Sequence, residues 1–183
     1  DMKQKIYDKT SLDVSEFIYS FLGEHKLLNF TKCFRLNEEF ANKLGNIWKK
    51  RIVGVNNECE VKIMDFDQTE KFLSEQRPSD ILCLGKRTNS MSRLLNNLEE
   101  KYKDIFNKET VYASIYDEDR SHRNLTDKVA IFTTFDSSKG LERKICVIFD
   151  YTEKYWKNGA SQSDTRYEIL RNIFCVAASR GKQ

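Results

Sequence analysis

The sequence predicts an α/β fold with a mainly parallel sheet flanked by helices. Two observations carry this. Short apolar runs alternate along the chain with amphipathic segments of helical period. The run "DILCLG" is apolar without alternation, as a strand covered on both faces of a parallel sheet has to be.

The elements follow in chain order. "SLDVSEFIYSFLG" places Val14, Phe17, Ile18, Phe21 and Leu22 on one helical face, with Gly23 able to end the helix in a left-handed conformation. "KLLNFT" predicts a short strand. "NEEFANKLGNIWKK" predicts a helix with Asn37 as N-cap, acids in its first turn and Phe40, Leu44, Ile47 and Trp48 buried. "EVKIMDF" predicts a strand, and "DILCLG" a buried one. "SMSRLLNNLEEKY" predicts a helix with Met91, Leu94, Leu95 and Leu98 in register. "TVYASIY", "VAIFTTF" and "KICVIFD" predict further strands, and "RYEILRNIFCVAAS" a last helix. In such sheets ligands bind at the carboxyl ends of strands. The polar clusters after "DILCLG" and "VAIFTTF" occupy that position. A layer of this kind ordinarily continues into another strand after its helix, so the chain is expected to be a piece of a longer protein.

Composition sets the class. The 183 residues suit one domain with a core of its own. Hydrophobic residues at 39%, charged residues at 32% and a single proline are those of a soluble globular chain. A net charge of +3 neither requires nor excludes nucleic acid, so any basic surface has to be local. No apolar run approaches the roughly 20 residues of a membrane helix, which predicts no membrane partner. The start "DMKQKIYDKT" lacks the apolar region of a signal peptide. The five cysteines form no CxxC pair and only two histidines are present, which argues against a zinc site. Cys83, Cys146 and Cys175 sit in apolar runs and read as small core hydrophobes. An odd, unclustered set of cysteines fits a reducing cytoplasm.

The stretch "TTFDSSKGLERKICVIFD" carries a lysine-glycine pair between apolar runs. A Walker loop, G-x-x-x-x-G-K-[ST], needs an earlier glycine whose neighbouring N–H groups wrap a phosphate. Here Lys139 precedes Gly140 and Phe135 stands at the earlier glycine's place, so the pattern fails. The stretch instead resembles motif V of the UvrD-like superfamily 1 helicases. "LRNIFCVAASRGK" resembles their motif VI, with Arg180 at the arginine-finger position. "LLNFTKCFRLNEEFANKLGNIW" resembles motif IV, with Arg35 as a second phosphate-facing cation. "RTNSMSR" resembles the Arg-Thr-Asn segment that meets single-stranded DNA, through Arg87 and Asn89. "DMKQKIY" is similar to the end of motif III, with Gln4 as a γ-phosphate sensor.

The chemistry of these residue types fits those roles. A guanidinium is always charged, and its fork of donors matches phosphate oxygens. Delivered across a cleft, it can be worth roughly 10³–10⁵ in rate. Arg87 can pair with a phosphate, and Asn89 can bond a phosphate or base edge. Taken alone, Arg180 reads as a helix-end cation, Arg35 as a solvated arginine, and Asn89 or Ser90 as an N-cap.

The resemblance implies a RecA-like three-layer sandwich, the second motor domain of an ATP-dependent DNA helicase or translocase moving 3′ to 5′. Residues 1–10 would be the stub of the preceding domain, and 11–183 the second RecA-like domain, cut before its last strand. Arg180, Arg35 and Gln4 would act in ATP hydrolysis. Glu142, Gly140, Arg35 and Arg180 would face the nucleotide. Arg87, Asn89, Thr134 and Lys139 would face DNA. ATP with Mg2+ is the implied cofactor. The P-loop and the magnesium-binding acids would lie in the N-terminal RecA-like domain of the same protein, and the fragment itself would be monomeric. Asp136 stands where many relatives carry a histidine. The stretch from Leu94 to Lys128 is much shorter than the helical subdomain inserted there in well-known relatives. Two alternatives belong to other classes: a non-catalytic DNA-binding or protein-interaction module, and the motor of a nuclease or defence system.

Overall fold

A computed structural model describes residues 19–23, 31–86, 89–114, 128–154 and 164–182. The segment 1–10 lies outside the described residues, as does most of the first predicted helix. Residues 19–22 of that helix are helical, and Gly23 follows with φ 60°, its N–H bonding Tyr19 O at 3.0 Å.

The fold is α/β, with parallel strands flanked by helices. Strands β1 (Lys32–Cys33) and β2 (Val53–Gly54) form a small parallel pair on either side of helix α1 (Glu38–Trp48) in sequence. Helix α2 (Phe66–Ser74) and a 3-10 turn at Pro78–Asp80 lead into β3 (Ile81–Gly85). Helix α3 (Ser90–Lys101), β4 (Val111–Ala113), β5 (Ala130–Thr134), β6 (Ile145–Ile148) and α4 (Asp164–Ala178) complete the chain order. The main sheet has the order β4-β5-β3-β6, every pair parallel.

Alternation along the central strands divides the core. Ile81 and Cys83 of β3 and Ala130 and Phe132 of β5 join one cluster with Leu73 of α2 and Met91, Leu94, Leu95 and Leu98 of α3. Leu82, Leu84 and Ile131 point the other way, onto Leu44 and Trp48 of α1 and Ile173 and Val176 of α4. Helices therefore cover both faces of the sheet, and β3 is buried along its whole length, as its sequence predicts.

Polar bonds tie the helices in pairs. Trp48 Nε1 donates to Asn172 Oδ1 at 3.0 Å, between α1 and α4. Glu70 of α2 accepts from Asn97 and Lys101 of α3 at 2.6 and 2.7 Å. The Arg93 guanidinium lies 3.8 Å from the centroid of the Phe66 ring.

Several expectations are corrected. "EVKIMDF" forms no strand: Asp65 instead caps α2, accepting from Gln68 N at 2.8 Å while Gln68 Oε1 accepts from Asp65 N at 3.1 Å. Val61 and Ile63 are left exposed. In α1 the Asn37 cap forms as expected, at 2.7 Å to Phe40 N, but Ile47 is exposed and Ala41 and Gly45 take its place inside. Residues 26–30 of "KLLNFT" lie outside the described residues, and a short strand follows at Lys32–Cys33. Among the described residues, no helix is long and apolar enough to cross a membrane.

Candidate functional site

The sheet order creates a topological switch point between β3 and β5. The connection after β3 runs through α3 on one face, whereas the chain after β5 carries Phe135 and Leu141 into the core of the opposite face. Adjacent strands whose connections part in this way leave a gap at their carboxyl ends, the usual ligand position of a parallel sheet. Gly85 and Thr134 are paired in register there. Thr134 donates its hydroxyl to Ser137 Oγ at 3.1 Å, and Asn89 is exposed. Arg87 lies outside the described residues.

Asn89 has φ 102° and ψ −142°, a conformation that costs a non-glycine residue about 1–3 kcal/mol. It makes no side-chain cap on α3. The cap comes from the end of the neighbouring strand. Asp150, itself at φ 55°, accepts from Ser90 Oγ at 2.9 Å and from Ser90 N at 3.2 Å. A carboxylate already occupies this helix N-terminus, where a phosphate could otherwise sit. Asp150 had no sequence signal: it was only the last letter of a strand.

The chain from Phe135 to Lys144 then travels the length of the sheet. Thr134 pairs at the Gly85 end of β3, while Ile145 pairs with Ile81 at the other. The 3-10 turn Asp136–Ser138 starts this return, and Gly140 turns it at φ 87°. The glycine of the lysine-glycine pair supplies the left-handed conformation of this turn. Lys139 is exposed. The side chain of Asp136 lies outside the described residues. Phe135 anchors the loop, stacking edge-on against Tyr151 at 4.9 Å, and the Tyr151 hydroxyl donates to Leu170 O of α4 at 2.6 Å.

At the far end the loop delivers Glu142 into a cluster of cations. Arg35 Nη1 donates to Glu142 Oε2 at 2.9 Å, and Lys182 Nζ lies 2.7 Å from Oε1. Hydrogen bonds from Lys182 and then Arg35 hold the Glu142 carboxyl below the ordinary glutamate range. Main-chain pairing fixes the geometry: Arg143 N donates to Arg180 O at 3.2 Å and Lys182 N to Arg143 O at 3.0 Å. Lys182 was not among the expected site residues, although "SRGK" placed it two positions beyond Arg180.

Arg180 is only 5% exposed. Its Nε donates to Val176 O at 2.8 Å, Nη1 to Leu141 O at 3.4 Å and Nη2 to Ser179 Oγ at 3.2 Å. Burial, followed by the like charge of Arg35, lowers its pKa from the usual arginine value. Arg35 is half-buried and spends one of its five N–H donors on Glu142, leaving its fork able to meet a further anion.

The structure therefore brings together Arg35, Glu142 and Arg180 at one end, and Asn89 and Thr134 at the other. Gln4 lies outside the described residues. Among the described residues, no group of three or more His, Cys, Asp or Glu side chains is placed to hold a metal ion. Cys83 is fully buried and its thiol pKa is pushed well up by that burial, so it is a core residue and no nucleophile. Searches of protein-family models, curated proteins and solved structures find no match to this chain.

Proposed function

We propose that this chain is the second, RecA-like motor domain of an ATP-dependent DNA helicase or translocase of the UvrD-like kind. One observation carries the proposal. A single loop starts at the switch point beside Thr134 and Asn89 and ends with Glu142 bonded to Arg35, beside Arg180. A segment with one end toward a strand of DNA and the other toward a nucleotide phosphate is what coupling the two ligands requires.

In this reading Arg35 meets the γ-phosphate through its remaining donors, and Glu142 orients Arg35 while facing the ribose. Arg180 supplies positive charge from beneath. In the same reading the phosphate-wrapping loop and the magnesium ligands come from the preceding domain of the same protein. ATP then draws the two domains together, and its hydrolysis releases them. Thr134 and Asn89 alter their grip on single-stranded DNA as the loop between the ends shifts.

A second reading draws on the burial of Arg180. A guanidinium held by two backbone carbonyls and a hydroxyl can be purely structural, as in a non-catalytic nucleic-acid-binding module. One experiment separates the two. DNA-stimulated ATP hydrolysis by the full-length protein is measured with and without Arg35→Ala, which alters a half-buried residue and leaves the buried Arg180 network in place. The motor reading expects turnover to collapse. DNA binding without any hydrolysis in the wild-type protein favours the module.

A further inference from the structure

Residues 60–64 lead into α2 and belong to no helix or sheet. Glu60 and Lys62 are bonded at 2.5 Å, so side chains two positions apart lie on one side, as in a strand. Val61, between them, is 57% exposed, and Ile63 is fully exposed. Among the described residues, no backbone hydrogen bond is made by Glu60, Val61, Lys62 or Ile63. The segment thus offers strand-like side chains and open backbone groups together. Such a segment is a template for pairing with another chain.

Its charges name that chain. The order Glu60, Val61, Lys62 is self-complementary when reversed. Laid antiparallel on a second copy, with Val61 at a two-fold axis, Glu60 of each copy faces Lys62 of the other and Val61 faces Val61.

The backbone selects one form of this pairing. Facing residues of an antiparallel ladder alternate between hydrogen-bonded and non-bonded pairs. With Val61 bonded, Cys59 would have to be bonded too. Cys59 is already engaged: its N–H donates to Asn56 O at 3.3 Å, and its carbonyl accepts from Asn37 Nδ2 at 2.6 Å. With Val61 non-bonded, the bonded positions fall on Glu60 and Lys62, whose N–H and C=O groups are open. That form also brings the two Val61 side chains closest.

We propose that Glu60–Met64 is a self-recognition strand, along which two copies of this chain pair antiparallel about Val61. The proposal is independent of the motor reading and departs from the monomer that the helicase resemblance implies. Five residues per copy bury far less than the roughly 1,200 Å² of a stable interface, so the association is weak and reversible.

Sedimentation of the chain over concentrations up to about 1 mM tests it. The wild type should form dimers as concentration rises. Lys62→Glu sets like charges opposite each other twice, and should weaken dimerisation by about tenfold or more. Glu60→Lys should do the same. Mixing these two single variants should restore dimers, because each then faces the opposite charge, and the double variant Glu60→Lys with Lys62→Glu should dimerise like the wild type. Lys43→Glu, the same charge change on the exposed side of α1, should leave dimerisation unchanged. The Glu60 and Lys62 side chains are 68% and 58% exposed, so all these variants should keep the wild-type melting temperature. A wild type that stays monomeric, dimers that survive Lys62→Glu, or a mixture that remains monomeric would each overturn the proposal.

Discussion

Arg35 and Glu142 stand 107 positions apart in sequence and meet at 2.9 Å, with Lys182 completing the clasp from the other side of the carboxylate. The pair joins the loop after β5 to the chain just after β1, and so ties the main sheet to the small one.

The clasp makes a pH-dependent contribution to stability. The folded-state pKa of Glu142 is depressed by Lys182 and Arg35, so the contribution is present above the unfolded value, near 4.5, and is lost as pH falls through the folded one. Glu142→Gln should lower stability at about pH 7 by less than about 1 kcal/mol, because the carboxylate is 42% exposed and screened by solvent. Urea unfolding should show that difference shrinking as the pH is lowered from the unfolded value through the folded one. An equal difference across that range would mean that the pair contributes through shape and not charge.

Asp150 caps α3 from the chain just after β6. Asp150→Ala should cost about 1 kcal/mol, the usual value of a lost cap, whereas Asp150→Asn should stay within a few tenths because asparagine keeps an acceptor and tolerates the positive φ. Denaturant midpoints of the two variants measure the contrast. Similar losses in both would show that the charge and not the hydrogen bonds holds Ser90.

Asn89 trades stability for contact. Glycine at its position relieves a φ of 102°, so Asn89→Gly should stabilise the chain by about 1 kcal/mol. The same change should weaken binding of a single-stranded oligonucleotide, read by fluorescence anisotropy at low salt. Stabilisation with unchanged DNA affinity would leave the strain at Asn89 without a functional reason.

Two glycines should fail differently. A Cβ on Gly54 would stand 2.1 Å from the backbone oxygen of Asn37, at the start of α1, so Gly54→Ala should cost at least the roughly 3 kcal/mol at the upper end of overpacking. Gly140 has open space around it and a φ of 87°, so Gly140→Ala should cost only about 1–2 kcal/mol. Calorimetric melting of both variants checks the order.

What the sequence made legible was what repeats locally. Met91, Leu94, Leu95 and Leu98 fall on one face and all are buried, and "DILCLG" is the central strand, because helical period and an unbroken apolar run each have one solution. "EVKIMDF" carries apolar residues at strand-like positions, yet Glu60–Met64 form no regular element and the Asp65–Gln68 capping box starts a helix at Phe66. Motif spacing drew attention to Arg35, Glu142, Arg180, Asn89 and Thr134, and the fold gathers them at two ends of one sheet. Burial of Arg180 and the reach of Asp150 to Ser90 depend on contacts between distant segments, which no local pattern encodes.

The loop from Thr134 to Glu142 is the centre of the proposed motor, and Arg35 is the accessible cation bonded to its Glu142 end. The most direct test is steady-state ATP hydrolysis by the full-length protein with saturating single-stranded DNA, comparing wild type with Arg35→Ala. Turnover should be stimulated by DNA in the wild type and should fall by about 10³-fold or more in the variant, the scale of a lost arginine finger, while thermal stability falls only by the small contribution of the half-exposed Glu142 pair. Near-normal, DNA-stimulated turnover in Arg35→Ala would contradict the assignment of this end of the loop to the nucleotide.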